Sequence, residues 1–179
     1  MKRTRLNRLV LRPDSSKSME CYVDASFANG WSTGDPTDRT SVLSRTGYVI
    51  KFADCPILWT SQLQTEITLS TTESEYVALS QSLRDVIPLM ELMREIQPLV
   101  RTKFLSRVVH CTVFEDNEGA LALARLPRMR PRTKHIALKF HHFIDHVCQG
   151  TVIPEPIDTK EQTADALTKA LPRDQFQYL

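Results

Sequence analysis

The chain has 179 residues, of which 41% are hydrophobic and 25% are charged, and its formal net charge is +2. This composition is that of one globular domain with at most a tail, and it excludes collagen-like, coiled-coil and intrinsically disordered chains. No apolar run approaches the roughly 20 residues of a membrane-spanning helix, and the basic start MKRTRLNRLVLRPD lacks the apolar segment of a secretory signal. Four scattered cysteines without a C-x-x-C pair indicate reduced thiols in a reducing compartment.

The first half of the chain predicts three strands and a long helical segment. After a basic tail, ECYVDASFA is rich in β-forming residues, and RTGYVIKFAD and CPILWTSQ are close enough to form a hairpin, with Trp59 expected in the core. From Ser70 onward the apolar residues recur at helical spacing, and the TTES sequence offers a threonine cap. Pro88 is expected to kink or end this helix, so that MELMREI would form a second piece.

The second half alternates between strands and helices. RVVHCTVFED and TVIPEPID are predicted strands, the latter at a sheet edge because of its two prolines. NEGALALARL is a predicted helix that Asn117 can cap, and HIALKFHHFIDHVCQ is another that stops at Gly150. TKEQTADALTKAL predicts a last helix with Thr159 and Gln162 as a capping box. This order predicts a mixed sheet covered by helices, in which the last two strands run parallel to the first.

Four acids lie where a charge needs an explanation. Asp24 is in the middle of an apolar strand, and Glu75 begins the apolar stripe of the first helix. Asp116 follows the fourth strand, at an edge of the sheet where ligands of α/β proteins bind, if the first and fourth strands are neighbours. Asp165 lies between two alanines that permit close approach to the sheet. We therefore expect the four carboxylates to converge.

Converging carboxylates repel one another and require cations, and a set of oxygen ligands selects Mg²⁺ or Mn²⁺. Two such ions close together can hydrolyse a phosphodiester. Each acid also has a purely structural interpretation: a helix cap, a favourable charge near a helix start, an exposed helix residue, or a partner of an arginine. The residues alone leave both interpretations open.

A basic segment separates Glu118 from Asp145, between which no acid occurs. A segment with one sign of charge is typical of a surface that binds phosphates, although a solvated loop has the same composition. The residues that we expect to contact a nucleic-acid backbone are Arg128, Arg130, Arg132, Lys134, His135 and Lys139.

Six segments, in chain order, carry a resemblance to a known family: YVDASFA, DRTSVLSRTGYVI, ILWTSQLQTEITLSTTESEYVAL, EDNEGALALA, RTKHIALKFHHFID and EQTADALTKALP. Together they resemble the ribonuclease H (RNase H) domain of copia-type LTR retrotransposon polyproteins. The resemblance implies an α/β fold with a five-stranded mixed sheet in the order 3-2-1-4-5, flanked by helices. It also implies an acidic tetrad at Asp24, Glu75, Asp116 and Asp165, with Glu73 as the alternative to Glu75.

The function that the resemblance implies is cleavage of the RNA strand of RNA–DNA hybrids during reverse transcription. Two Mg²⁺ or Mn²⁺ ions would share Asp24, with Glu75 and Asp116 on one ion and Asp165 on the other. Asn117 would contact 2′-hydroxyl groups. The implied partners are the hybrid and the reverse transcriptase domain of the same polyprotein, and the implied locations are cytoplasmic virus-like particles and the nucleus, without secretion.

The resemblance also predicts the domain boundaries: a basic tail over residues 1–18, the RNase H-like domain over 19–173 and a short tail over 174–179. Since no polymerase or integrase motif is present, we expect a fragment, a processed product or a degenerate reading frame. Two other functions stay open at this point. One is an inactive nucleic-acid-binding or connection module with the same fold, and the other is a nuclease of the same superfold that acts on DNA.

Overall fold

The structure is a computed structural model that describes residues 10–28, 35, 37–99, 109–125 and 141–179. Five strands form one mixed sheet in the order β3-β2-β1-β4-β5, which confirms the predicted topology. The first three strands pair antiparallel, and β4 runs parallel to both β1 and β5. The strands are β1 (Met19–Ser26), β2 (Arg45–Phe52), β3 (Cys55–Leu63), β4 (Cys111–Glu115) and β5 (Val152–Pro156).

Helices cover both faces of this sheet. The helices of the described residues are α1 (Thr71–Ile96), α2 (Glu118–Arg125), α3 (Ile144–Cys148), α4 (Asp165–Thr168) and α5 (Arg173–Tyr178). Alternation along β2 sends Tyr48 and Ile50 into the core formed with α1, whereas Gly47 and Val49 face α4 on the other side. Among these helices, none has the length and apolar character needed to cross a membrane.

The β2–β3 hairpin is as tight as its sequence predicts. Only Ala53 and Asp54 lie between the two strands, and their φ angles are 50° and 62°. Two consecutive residues with positive φ match the right-handed twist of paired strands. However, Trp59 is 57% exposed, so its predicted place in the core is wrong. The reason is that β3 is an edge strand, and Trp59, opposite Val49, lies beside a cavity lined by Phe176 and not in the core on the α1 side.

Helix α1 differs from its prediction at both of the features read from sequence. Ser70, rather than a threonine of TTES, caps the helix, because its side chain accepts a hydrogen bond from Glu73 N at 3.1 Å. The helix is also continuous through Pro88. Pro88 is exposed, while Val86 and Met90 on either side of it are fully buried. The missing hydrogen bond therefore falls on the solvent side, and packing of the buried face stabilises both halves as one helix.

The last predicted helix is also divided. A 3₁₀ turn spans Thr159–Glu161, and α4 begins only at Asp165. Thr159 and Gln162 do not form the predicted capping box: Asp158 caps the 3₁₀ turn, and Gln162 Nε2 donates to the carbonyl oxygen of Val23 at 2.8 Å. This bond to the sheet competes successfully with helix formation, because it satisfies a buried strand carbonyl.

Candidate active site

Asp24 lies at the point where two neighbouring strands separate. Pairing of β1 with β4 ends at Tyr22, whereas pairing with β2 continues and places Asp24 opposite Gly47. Asp24 is 1% exposed. The gap between the parallel strands is the kind of crevice in which α/β proteins bind ligands.

Three of the four predicted acids meet at this gap. One carboxylate oxygen from each of Asp24, Glu75 and Asp116 lies within 4.8 Å of the others. Glu75 comes from the first turns of α1 and is buried, while Asp116 follows the last residue of β4 and is half-buried. We call these residues the three-carboxylate group. Its spacing and its oxygen atoms suit a single hard divalent cation.

A fifth acid that the sequence analysis missed borders this group. Glu115, the last residue of β4, is fully buried, and its Oε1 accepts a hydrogen bond from Asn117 N at 3.1 Å. Its Oε2 and the Oε2 of Glu75 are both buried without a hydrogen-bond partner in the described part of the chain. The only sequence signal for Glu115 is its position next to Asp116 at a strand end. Two unpartnered buried carboxyl oxygens indicate that a proton or a cation completes this site.

The electrostatics of the group support this conclusion. Burial, together with the negative charges of Glu115, Asp24 and Asp116, raises the pKa of Glu75 from 4.5 to about 10. Burial also raises the pKa of Glu115 well above its ordinary value, and that of Asp24 to a lesser extent because Thr168 and Lys169 oppose it. The residues therefore fit a divalent cation, which would supply the positive charge that this group needs.

The fourth predicted acid, Asp165, joins the site through a lysine. Asp165 is 3% exposed at the start of α4 and is not part of the three-carboxylate group. Lys169 Nζ lies 2.8 Å from Asp165 Oδ1 and 3.2 Å from Asp24 Oδ1, and the Thr168 hydroxyl donates to Asp24 Oδ2. Sequence reasoning missed Thr168 and Lys169. The available signal is the spacing of Asp165 and Lys169, which are four residues apart and hence neighbours across one helical turn.

Some of the remaining predicted residues lie in the described part of the chain, and the others lie outside it. Asn117 Oδ1 accepts from Ala120 N at 3.0 Å and so caps α2. Glu73 Oε2 accepts from Leu69 N at 2.7 Å, a bond that stabilises the start of α1. Thr159, which the sequence analysis assigned to a helix cap, donates from Oγ1 to Asp116 Oδ2 at 2.9 Å. The predicted phosphate contacts Arg128, Arg130, Arg132, Lys134, His135 and Lys139 lie outside the described residues.

The raised pKa of Glu75 predicts a pH-dependent stability. An acid with a higher pKa in the folded protein than in the unfolded chain binds more protons when folded, so stability decreases as pH rises between the two values. For Glu75 this window extends from its ordinary pKa of 4.5 to about 10. Without divalent cations, we expect the melting temperature to fall from about pH 5 to about pH 8 and Glu75→Gln to reduce this slope. Equal slopes in thermal melts of the two proteins would contradict the assignment.

By sequence, this chain matches short segments of much longer proteins. No family model matches it. It is 33% identical over 163 residues to the retrovirus-related Pol polyprotein from transposon TNT 1-94 of Nicotiana tabacum, and 30% identical over 170 residues to that from transposon RE1 of Arabidopsis thaliana. These matches cover 91% and 94% of the chain but only 11% and 10% of the relatives. The chain is therefore homologous to a small part of plant transposon Pol polyproteins.

Solved structures that resemble this chain include RNase H domains. LC11-RNase H1, isolated from compost, matches with a TM-score of 0.57 at 18% identity, covering 84% of this chain and 91% of that one. The N-terminal RNase H domain of rv2228c from Mycobacterium tuberculosis matches with a TM-score of 0.53 at 16% identity, covering 90% and 94%. At these identities the likeness concerns the fold, which is that of the RNase H domains.

Proposed function

We propose that this chain is the RNase H domain of a copia-type retrotransposon polyprotein and that it hydrolyses the RNA strand of RNA–DNA hybrids with Mg²⁺ or Mn²⁺. The observation that carries the proposal is the three-carboxylate group, placed where β1 and β4 separate, together with the unpartnered buried oxygens of Glu75 and the neighbouring Glu115. The homology to Pol polyproteins supports it. A structural neighbour, LC11-RNase H1, has been solved in complex with an RNA/DNA hybrid.

Each acid has a distinct part in this proposal. Asp24, Glu75 and Asp116 would hold one cation, and Asp24 would be shared with a second cation on the side of Asp165. When bound, such cations polarise the phosphodiester and lower the pKa of water. Asp24 has a fixed position, because it is buried in mid-strand and its carboxylate accepts a hydrogen bond from Thr168. Thr159, in the 3₁₀ turn after the neighbouring strand β5, restrains Asp116 by a hydrogen bond.

Recognition of the hybrid would involve residues around this group. Asn117 stands next to Asp116, and its amide NH₂ can donate to the 2′-hydroxyl groups that distinguish RNA from DNA. The basic residues Arg128, Arg130, Arg132, Lys134, His135 and Lys139 would bind backbone phosphates, which contributes affinity without sequence preference. In the polyprotein, the reverse transcriptase domain would supply the hybrid, in virus-like particles or the nucleus.

Two glutamates of α1 offer a matched test of this function. We expect the purified chain with Mg²⁺ to cut only the RNA strand of a labelled hybrid, leaving 5′-phosphate and 3′-hydroxyl ends. Glu75→Gln should lower the rate by about a hundredfold or more, since it removes a ligand charge worth at least ~3 kcal/mol of activation free energy. Glu73→Gln should cut normally, because glutamine also accepts the hydrogen bond from Leu69 N.

The outcomes separate the three functions. Cleavage that depends on Glu75 and divalent cations supports the proposal. Hybrid binding without cleavage by the unmodified chain would contradict it and indicate an inactive binding module. Cleavage of duplex DNA at least as fast as that of the hybrid would indicate a DNA nuclease of the same superfold.

A further inference from the structure

Lys169 lies between two of the predicted metal-binding carboxylates, although the proposed function gives it no role. Its Nζ bridges Asp24 Oδ1 at 3.2 Å and Asp165 Oδ1 at 2.8 Å. The two carboxylates are 1% and 4% exposed, whereas the lysine side chain is 40% exposed. The backbone holds the lysine there as well, because Lys169 N donates to the carbonyl oxygen of Asp165 at the end of α4.

This bridge differs from an ordinary surface ion pair. Both acids are buried, so removing the ammonium would leave two uncompensated charges in a site that already contains other buried carboxyls. Lys169 thus neutralises the side of the site that faces Asp165, whereas no salt bridge among the described residues reaches Glu75 or Asp116. The two sides are therefore unequal before any divalent ion binds.

We infer that Lys169 is an internal counter-cation of the candidate active site and that a second divalent cation can bind between Asp24 and Asp165 only by displacing its ammonium. This inference rests on the proposed function. The ammonium and a metal ion cannot both lie between these two oxygens, because Nζ, at 3.2 and 2.8 Å from them, occupies the space that a bound ion would need. Since the lysine is part-exposed and its stem is flexible, it can move into solvent without unfolding α4. Cations then bind in order, first at the three-carboxylate group and second, more weakly, at the position of Lys169.

The test compares two lysines of the same region. Lys169→Met removes the bridging charge, and Lys160→Met removes an exposed charge that forms no ion pair within the described residues. In EDTA, Lys169→Met should melt at a lower temperature than the unmodified protein, and Lys160→Met should not. In calorimetric titrations with Mg²⁺, the second, weaker binding event should become at least tenfold tighter in Lys169→Met and stay unchanged in Lys160→Met.

Two results would overturn the inference: an unchanged second Mg²⁺ affinity in Lys169→Met, or a single binding event in both that variant and the unmodified protein. If Lys169→Met does not fold, the same titrations on Lys169→Gln decide, because glutamine keeps a polar side chain without the charge. The readout is independent of catalysis. Tighter Mg²⁺ binding in a variant of a chain that never cuts a hybrid would contradict the proposed function and leave the role of Lys169 supported.

Discussion

Replacement of Asp24 by asparagine should lower the rate of hybrid cleavage about a thousandfold, which corresponds to roughly 4 kcal/mol of activation free energy. Asparagine has the same size as aspartate but lacks the charge that the cations need. Asp24 is the central acid, since it belongs to the three-carboxylate group and also contacts Lys169 and Thr168. The measurement uses one labelled hybrid with the purified variant in Mg²⁺ and in Mn²⁺.

The matched control for this variant is Asp145→Asn, because Asp145 is an exposed acid at the start of α3. It should cut at the unmodified rate. Asp24→Asn should still bind the hybrid and should be no less stable without metal, because burial raises the pKa of Asp24 and so disfavours its charged form. A cleavage rate of Asp24→Asn near that of the unmodified chain would exclude an active site built on this acid.

A methyl group added to Gly47 should disturb the candidate active site by pushing α4 away from β2. The new Cβ would lie 2.6 Å from Thr168 Cγ2, 3.0 Å from Leu167 Cβ and 3.2 Å from the carbonyl oxygen of Ala164. Helix α4 must then move away from β2, which disturbs the hydrogen bond from Thr168 to Asp24. We expect Gly47→Ala to lower the free energy of unfolding by about 1–3 kcal/mol and the cleavage rate by about tenfold or more. Urea unfolding and the cleavage assay measure the two effects.

A second substitution tests the cause of this effect. Thr168→Ser removes the methyl group that the new Cβ approaches most closely and retains the hydroxyl that bonds to Asp24. The double variant Gly47→Ala, Thr168→Ser should therefore be more stable than the sum of the single changes predicts. Strict additivity would mean that the loss at Gly47 comes from the strand backbone and not from contact with α4.

The sheet could be read from local patterns, with the family resemblance supplying its order. Period-two alternation and two short segments of turn-forming residues indicated the strands, and β5 lies at an edge as its prolines predicted. Local patterns failed where packing outweighed them. Pro88 does not interrupt α1, because the buried residues around it face the sheet. Trp59 is exposed because it lies on an edge strand and borders a surface cavity instead of the core.

The sequence by itself indicated the types of the elements and placed Asp24 within a strand, Glu75 near the start of a helix and Asp116 after a strand, from where they were expected to converge. Only the tertiary structure decided how the site is neutralised. Lys169 reaches Asp24 across 145 positions of the chain, and Thr159 reaches Asp116 across 43. No periodicity encodes such contacts, because they depend on how α4 and the turn before it dock on the sheet. The same docking separates Asp165 from the three-carboxylate group and places an ammonium, rather than a fourth carboxylate, beside Asp24.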